Sequence, residues 1–449
     1  MPREAPGGFL LLAMLGGLAA LAAILVPISL LPVLAVGALL ILVVSFAFAA
    51  EDVLKLVPFG IALSPMVALV GFRFAGAEGT VVLVGFLALM IITSYRRQLV
   101  AVFGLPELAI AIFAFGLFIS AIHGEGISRG STILRSLLPF FLAWVVARSV
   151  TREKGNGETL WWTAVIFLLV NAPLGILEAL TTSDLVVFPQ TGLVEIGQTG
   201  FARPNGFLST DIDFALSMTL CVAVVVGGPA VERVRSWSVP VALLGSLALV
   251  LASFRTGWLV LAIIWLAWLS RRSAQTWLIA AAIVLVAIPL LVQPVRNLSG
   301  SDYVQERVVG NSNVTARETA FDQAWELFKE EPILGVGLNG FQVDPMVLAA
   351  PGEVVTPHNL WLGVLAETGL VGAIGLLLVA VTTGLNCFKL ARRRLTAEPG
   401  GRGAIWACLA ILPFSLTFQV LLVPTSIMLI GFLLGAVRGL ALSGERTAR

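Results

Sequence analysis

The sequence predicts an all-α fold, a polytopic transmembrane helical bundle of about 12 to 14 spans, and three observations carry that prediction. First, 58% of the 449 residues are hydrophobic and 12% are charged, with a mean hydropathy of +0.98. A water-soluble core of ordinary proportions does not hide so much apolar surface. Second, apolar stretches recur from Phe9 almost to Leu442, and many reach the roughly 18 to 20 residues that cross a bilayer as helix. Third, these stretches do not alternate as the strands of a membrane barrel do.

Taken in order, the candidate crossings are 8–26, 29–50, 58–72, 80–94, 105–122, 132–150 and 159–179, then 206–228, 238–254, 257–270, 276–295, 358–385, 404–422 and 425–442. Charged or Gly/Pro-rich residues bound each one. The spans 58–72 and 257–270 are short enough to be tilted, re-entrant or broken. The run after Arg3 resembles a signal peptide, but a second apolar span follows at once without a convincing cleavage site, so it reads as a retained first helix. The chain divides into N-terminal transmembrane helices over 1–194 and a C-terminal region over 195–449 that holds a large extracytoplasmic loop, 296–357.

Net charge is only +2 and names no partner, whereas the distribution of charge gives orientation. The clusters Arg96-Arg97, Arg152/Lys154, Arg233/Arg235, Arg271-Arg272 and Lys389/Arg392/Arg393/Arg394 fall on one side of the threading, which the positive-inside rule makes the cytoplasm. Nineteen of the 28 basic residues are then cytoplasmic, and the other nine, Arg203, Arg255 and Arg317 among them, lie outside or near the outer ends. Interfacial anchoring or pairing with Asp and Glu is the ordinary account of such residues. Cys221, Cys387 and Cys408 show no CxxC spacing, which argues against a disulfide framework and a zinc site.

Within the long outer loop, Thr315-Ala316-Arg317-Glu318 reads as a capping box opening a helix that ends near Pro332. Ala320, Phe321, Ala324, Trp325 and Phe328 give that helix an apolar stripe, so it should lie flat, resting on the bundle or the headgroup zone. The stretch from Gly335 to Gly340 turns the chain back. His358, in Thr356-Pro357-His358-Asn359, stands where the loop re-enters the membrane as a helix. Position alone favours an interfacial polar residue capping that helix, and a proton acceptor is the other reading.

Asp211 and Asp213 have the spacing of a metal-binding pair, but they open an apolar helix, where a cap or an arginine partner is the plainer account. Glu367 lies nine residues after His358, which rotates it by about 180 degrees and sinks it roughly 13 Å, so it reads as a buried partner or helix contact. His123, near Glu125 and Arg129, could line an entrance on the outer side, and the plain reading of an exposed loop histidine is favoured.

Glu331-Pro332-Ile333-Leu334-Gly335-Val336-Gly337, followed by Pro357-His358-Asn359-Leu360-Trp361 and Ala366-Glu367-Thr368-Gly369-Leu370-Val371-Gly372, resembles the signature of the O-antigen ligase and O-antigen polymerase superfamily. Ser253-Phe254-Arg255-Thr256-Gly257 is similar to the family's Ser-x-Arg-Thr/Ser-Gly segment, Arg203-Pro204-Asn205-Gly206-Phe207 to its Arg-containing loop, and Arg317 to the arginine of its loop helix. The resemblance covers roughly residues 195–440, and its His-Asn to Glu-x-Gly block is more specific than its arginine segments.

The resemblance implies a metal-independent, inverting glycosyltransferase in the bacterial inner membrane, needing no cofactor. It would move a glycan from undecaprenyl pyrophosphate on the extracytoplasmic face to the hydroxyl of a glycan or lipid-anchored acceptor. It further implies Arg203, Arg255 and Arg317 as pyrophosphate-binding residues and His358 as the catalytic base. A surface polysaccharide polymerase of the same superfamily differs only in its acceptor. A polysaccharide or lipid flippase is the rival class, and the absence of a sequence repeat between the halves counts against it.

Overall fold

A computed structural model describes residues 57–69, 73–74, 77–78, 104–123, 127–154, 157–181, 206, 208, 210–228, 235–252, 254–270, 312–338, 340–341, 359–392, 400–418 and 424–446. The described residues form helices α1 (Val57–Leu69), α2 (Leu105–His123), α3 (Ile127–Lys154), α4 (Glu158–Thr181), α5 (Asp211–Gly227) and α6 (Arg235–Leu251). Helices α7 (Arg255–Leu269), α8 (Ser312–Glu330), α9 (Leu360–Arg392), α10 (Gly401–Thr417) and α11 (Pro424–Arg446) follow. The strand content among the described residues is one pair of two-residue strands, β1 (Arg73–Phe74) and β2 (Ala77–Glu78), which are antiparallel. The fold is all-α, as expected. The expected spans 8–26, 29–50, 80–94 and 276–295 lie outside the described residues.

Helices α2, α4, α9 and α11 are long and apolar enough to cross a membrane, and α6, α7 and α10 are shorter apolar helices. Along α9 the side chains of Leu370, Ile374, Leu377, Val381, Leu385 and Phe388 are exposed. A row of large apolar groups at helical spacing suits lipid and not water. By contrast α11 is buried almost throughout.

Glycine sets how closely the helices approach. On α11, Gly431, Gly435 and Gly439 lie against the backbones of Phe140, Trp144 and Arg148 on α3, and a Cβ at any of the three would strike an α3 carbonyl. Both series advance by four residues in the same direction, so α3 and α11 run parallel at backbone contact, the packing that small residues permit between membrane helices. Thr151 Oγ1 adds a hydrogen bond to the Ala436 carbonyl, 3.2 Å. Helices α2 and α9 cross antiparallel where Gly116 meets Gly372 and Gly375 meets Phe113. Helices α5 and α10 meet tail to head where Gly227 meets Gly403. These relative directions are the ones the charge-based threading requires.

At the end of the bundle that the threading assigns to the cytoplasm, Glu107 is buried between two arginines. Arg438 donates from Nε (2.9 Å) and Nη2 (3.0 Å) to its two oxygens, and Arg148 Nε lies 3.0 Å from Oε1. Burial of that carboxylate is tolerable because the fork of Arg438 meets it in bidentate fashion.

The expected span 358–385 is not one straight helix. Gly369 (φ 58, ψ −159) breaks α9 into a short first part and a long second part that continues to Arg392. In an unbroken helix the amides of Leu370 and Val371 would bond to the carbonyls of Ala366 and Glu367. Here they donate to the carbonyls of Pro332 (2.9 Å) and Ile333 (3.3 Å), while the amides of Val336 and Gly337 donate to Ala366 and Glu367, each at 3.0 Å. The Glu331–Leu338 loop is thus inserted into the break and satisfies those four backbone groups, as a buried backbone requires.

Candidate functional site

The first part of α9 begins at an asparagine cap. Asn359 Oδ1 accepts from the amides of Trp361 (2.9 Å) and Leu362 (3.1 Å), satisfying donors that the first turn leaves over. Its Nδ2 donates to the Leu416 carbonyl (3.4 Å), and Trp361 Nε1 donates to Ser415 Oγ (3.3 Å), which ties the start of α9 to the end of α10. The cap of this helix is therefore Asn359. The sequence reading had offered that task to His358.

Helix α7 starts at the same place. Phe254, the residue ahead of Arg255, stacks on Phe414 with ring centroids 5.8 Å apart and packs on Phe418 at 4.8 Å. Thr256 Oγ1 lies 3.3 Å from Thr417 Oγ1. The N-terminal turns of α7 and α9 thus converge on Phe414–Phe418. Two helix N-termini facing one rim give a partial positive potential that suits an anion.

Arg255 is the first residue of α7. Arg317 lies within the first two turns of α8, which starts at Ser312, one turn earlier than the Thr315 capping box predicted. Ser312 and Asn313 are ordinary helix-start residues, so the helix extends past Thr315. The side chains of Arg255 and Arg317, like the whole of Arg203 and His358, lie outside the described residues.

Ala320, Ala324 and Leu327 of α8 are buried with Phe341 and Ala366, so this face rests on the bundle. Trp325 remains exposed beside Phe328, their ring centroids 5.3 Å apart. The amphipathic stripe read from the sequence is thus shared between a face buried on the bundle and an aromatic edge.

Asp213 has a structural use that its spacing did not reveal. Its Oδ1 accepts from the Ser426 amide (2.7 Å) and Ser426 Oγ (2.6 Å), and its Oδ2 from the Thr425 amide (3.3 Å), so it caps α11 and not its own helix. The cap of α5 is Thr210, whose side chain accepts from the Asp213 amide at 3.1 Å. Asp211 Oδ1 accepts from the neighbouring Ile212 amide at 2.9 Å. Glu367 is buried, in keeping with its expected role as a helix contact, and its carbonyl accepts from Ser120 Oγ of α2 as well as from Gly337. His123 ends α2 and lies 3.9 Å from Glu331.

Residues 240–377 match the family model described as O-antigen ligase. That stretch, about a third of the chain, is similar to the O-antigen ligase family. It includes Arg255, Arg317 and His358, the insertion loop and the break in α9, while Arg203 lies ahead of it. Proteins of that family are glycosyl-transfer enzymes that act on lipid-linked glycans and their acceptors. The long apolar helices with exposed apolar rows mark this chain as a membrane protein. No curated protein matches the chain.

Proposed function

We propose that this chain transfers a glycan from undecaprenyl pyrophosphate to an acceptor hydroxyl at the outer face of the bacterial inner membrane, without a metal and with inversion at the anomeric carbon. The acceptor oxygen bonds to the anomeric carbon as the bond to the diphosphate breaks. The hydroxyl proton passes to His358, and the bonding electron pair leaves with the pyrophosphate. Arg203, Arg255 and Arg317 bind the diphosphate, where cations stabilise the growing charge more in the transition state than in the ground state. The planar fork of arginine serves that role without a metal ion.

The observation that carries this reading is the meeting of two helix starts. Helix α7 begins at Arg255, α9 begins two residues after His358, and both pack on Phe414–Phe418. A polymerase of the same superfamily would use the same donor chemistry with another lipid-linked glycan as acceptor.

The test is purified protein with a polyprenyl-pyrophosphate glycan and a matched acceptor. His358→Ala should lower the transfer rate by about a hundredfold or more while donor binding persists. The wild-type rate should fall as pH drops below the imidazole pKa, because an imidazole base works only when neutral. Wild-type turnover by His358→Ala across that range would overturn the assignment.

A further inference from the structure

We infer that the inserted Glu331–Leu338 loop positions the two sides of the proposed site relative to each other, with Gly369 and the amide of Leu370 as positioning groups. This inference rests on the proposed reading of His358 and Arg317. In a continuous helix the direction of the first turns would be fixed by the membrane-spanning remainder. Gly369 removes that constraint, since its backbone (φ 58, ψ −159) ends the bond ladder after Thr368.

Control of the first part of α9 passes to the loop, which grips both sides of the break. Pro332 and Ile333 accept from the amides of Leu370 and Val371 on the spanning part, and Val336 and Gly337 donate to Ala366 and Glu367 on the first part. The same loop is the direct continuation of α8, which bears Arg317 and packs on Ala366 through Ala320, Ala324 and Leu327. Ser120 of α2 closes the arrangement, its carbonyl accepting from Leu338 at 3.4 Å and its hydroxyl donating to Glu367.

Space is as tightly specified as direction. A Cβ at Gly335 (φ 70) would strike the carbonyl carbon of Glu367, and one at Gly369 would strike Ile333. The helix that follows His358 and the helix that bears Arg317 are therefore held as one body, oriented to the membrane span by a few backbone hydrogen bonds.

Leu370→Pro isolates this device. Proline is well accepted at the first position of a helix, Leu370 is 45% exposed, and the change removes the amide that bonds to Pro332 while its ring crowds that carbonyl. Leu370→Ala keeps the amide and serves as the conservative control. Leu370→Pro should lower kcat by about ten- to a hundredfold with acceptor KM within about threefold, the size expected from a misplacement near 1 Å, and Leu370→Ala should match wild type.

Spin labels on cysteines placed at Asp322 and Leu377, in the full chain with Cys221, Cys387 and Cys408 changed to Ala, read the geometry without catalysis. The distance distribution should broaden or shift in Leu370→Pro and stay narrow in Leu370→Ala. Equal kcat in the two variants overturns the positioning role, and equal distance distributions overturn the loop's control of α9. A fully active His358→Ala overturns the site reading on which the role rests, while the label distances still report the insertion.

Discussion

The seam between α3 and α11 and the loop inserted into α9 both depend on glycine, but for different physical reasons. At the seam, Gly431, Gly435 and Gly439 sit inside a helix and are needed because a Cβ would strike the facing backbone. At the insertion, Gly335, Gly337 and Gly369 have φ of 70, 96 and 58, so the backbone itself calls for glycine. The seam repeats one contact along two parallel helices, whereas the insertion is a set of single hydrogen bonds at one level. Damage to the seam should therefore appear as loss of folded protein, and damage to the insertion as loss of turnover by folded protein.

The largest effect should follow from Gly435→Leu, which drives a side chain into the backbone of Trp144. Overpacking costs about 1–3 kcal/mol where neighbours can move, and a helix backbone moves little, so the detergent-solubilised monodisperse protein should nearly vanish in size-exclusion chromatography. Gly384→Leu is the matched control, because a Cβ there meets nothing within 4 Å. Comparable yields from the two variants would show that the seam does not carry the bundle.

A smaller but clear loss of stability should follow from Glu107→Gln, which leaves Arg148 and Arg438 buried beside a neutral group. Gln keeps the shape of Glu and an oxygen that can still accept from Arg438, so the loss is a fraction of the cost of removing a buried partner outright, and Tm should fall measurably by fluorescence scanning. Turnover per folded molecule should hold, since Glu107 opens α2 whereas Ser120, which bonds to the insertion, lies near the other end of that helix. A fall in turnover without a fall in Tm would mean that the two ends of the bundle are coupled.

The difference between these regions also explains what could be read in advance. Among the described residues, span positions were legible because bilayer thickness forces long apolar runs; 105–122 and 159–179, for example, are α2 and α4 within a few residues. The break at Gly369 was not legible, because a glycine in an apolar run reads equally as a packing residue, and its bonding partners lie more than thirty residues upstream. Asp213 escaped for the same reason, since the helix it caps starts far along the chain, with 213 residues separating it from Ser426. At the site, sequence found Arg255 at a helix start and the His-Asn segment ahead of α9, yet missed Asn359 as the cap and the Phe414–Phe418 rim that gathers both helices. Those contacts join distant residues and leave no periodicity behind.

The smallest effect concerns the outer edge of the insertion, where His123 Nε2 lies 3.9 Å from Glu331 Oε2 and both side chains are about half exposed, at 41% and 55%. A contact this long and this exposed contributes little, since exposed pairs are worth about 0.2–1 kcal/mol. Glu331→Gln removes the charge but leaves the Glu331 carbonyl, which accepts from the Gly335 amide at 2.9 Å. The variant should therefore lose about one degree of Tm at most and less than about twofold in kcat. A loss of turnover as large as that of Leu370→Pro would mean that side-chain charge, not backbone hydrogen bonding, holds the loop in α9. A small difference confined to Tm leaves the backbone bonds as the grip and the His123–Glu331 contact as a clasp on its rim.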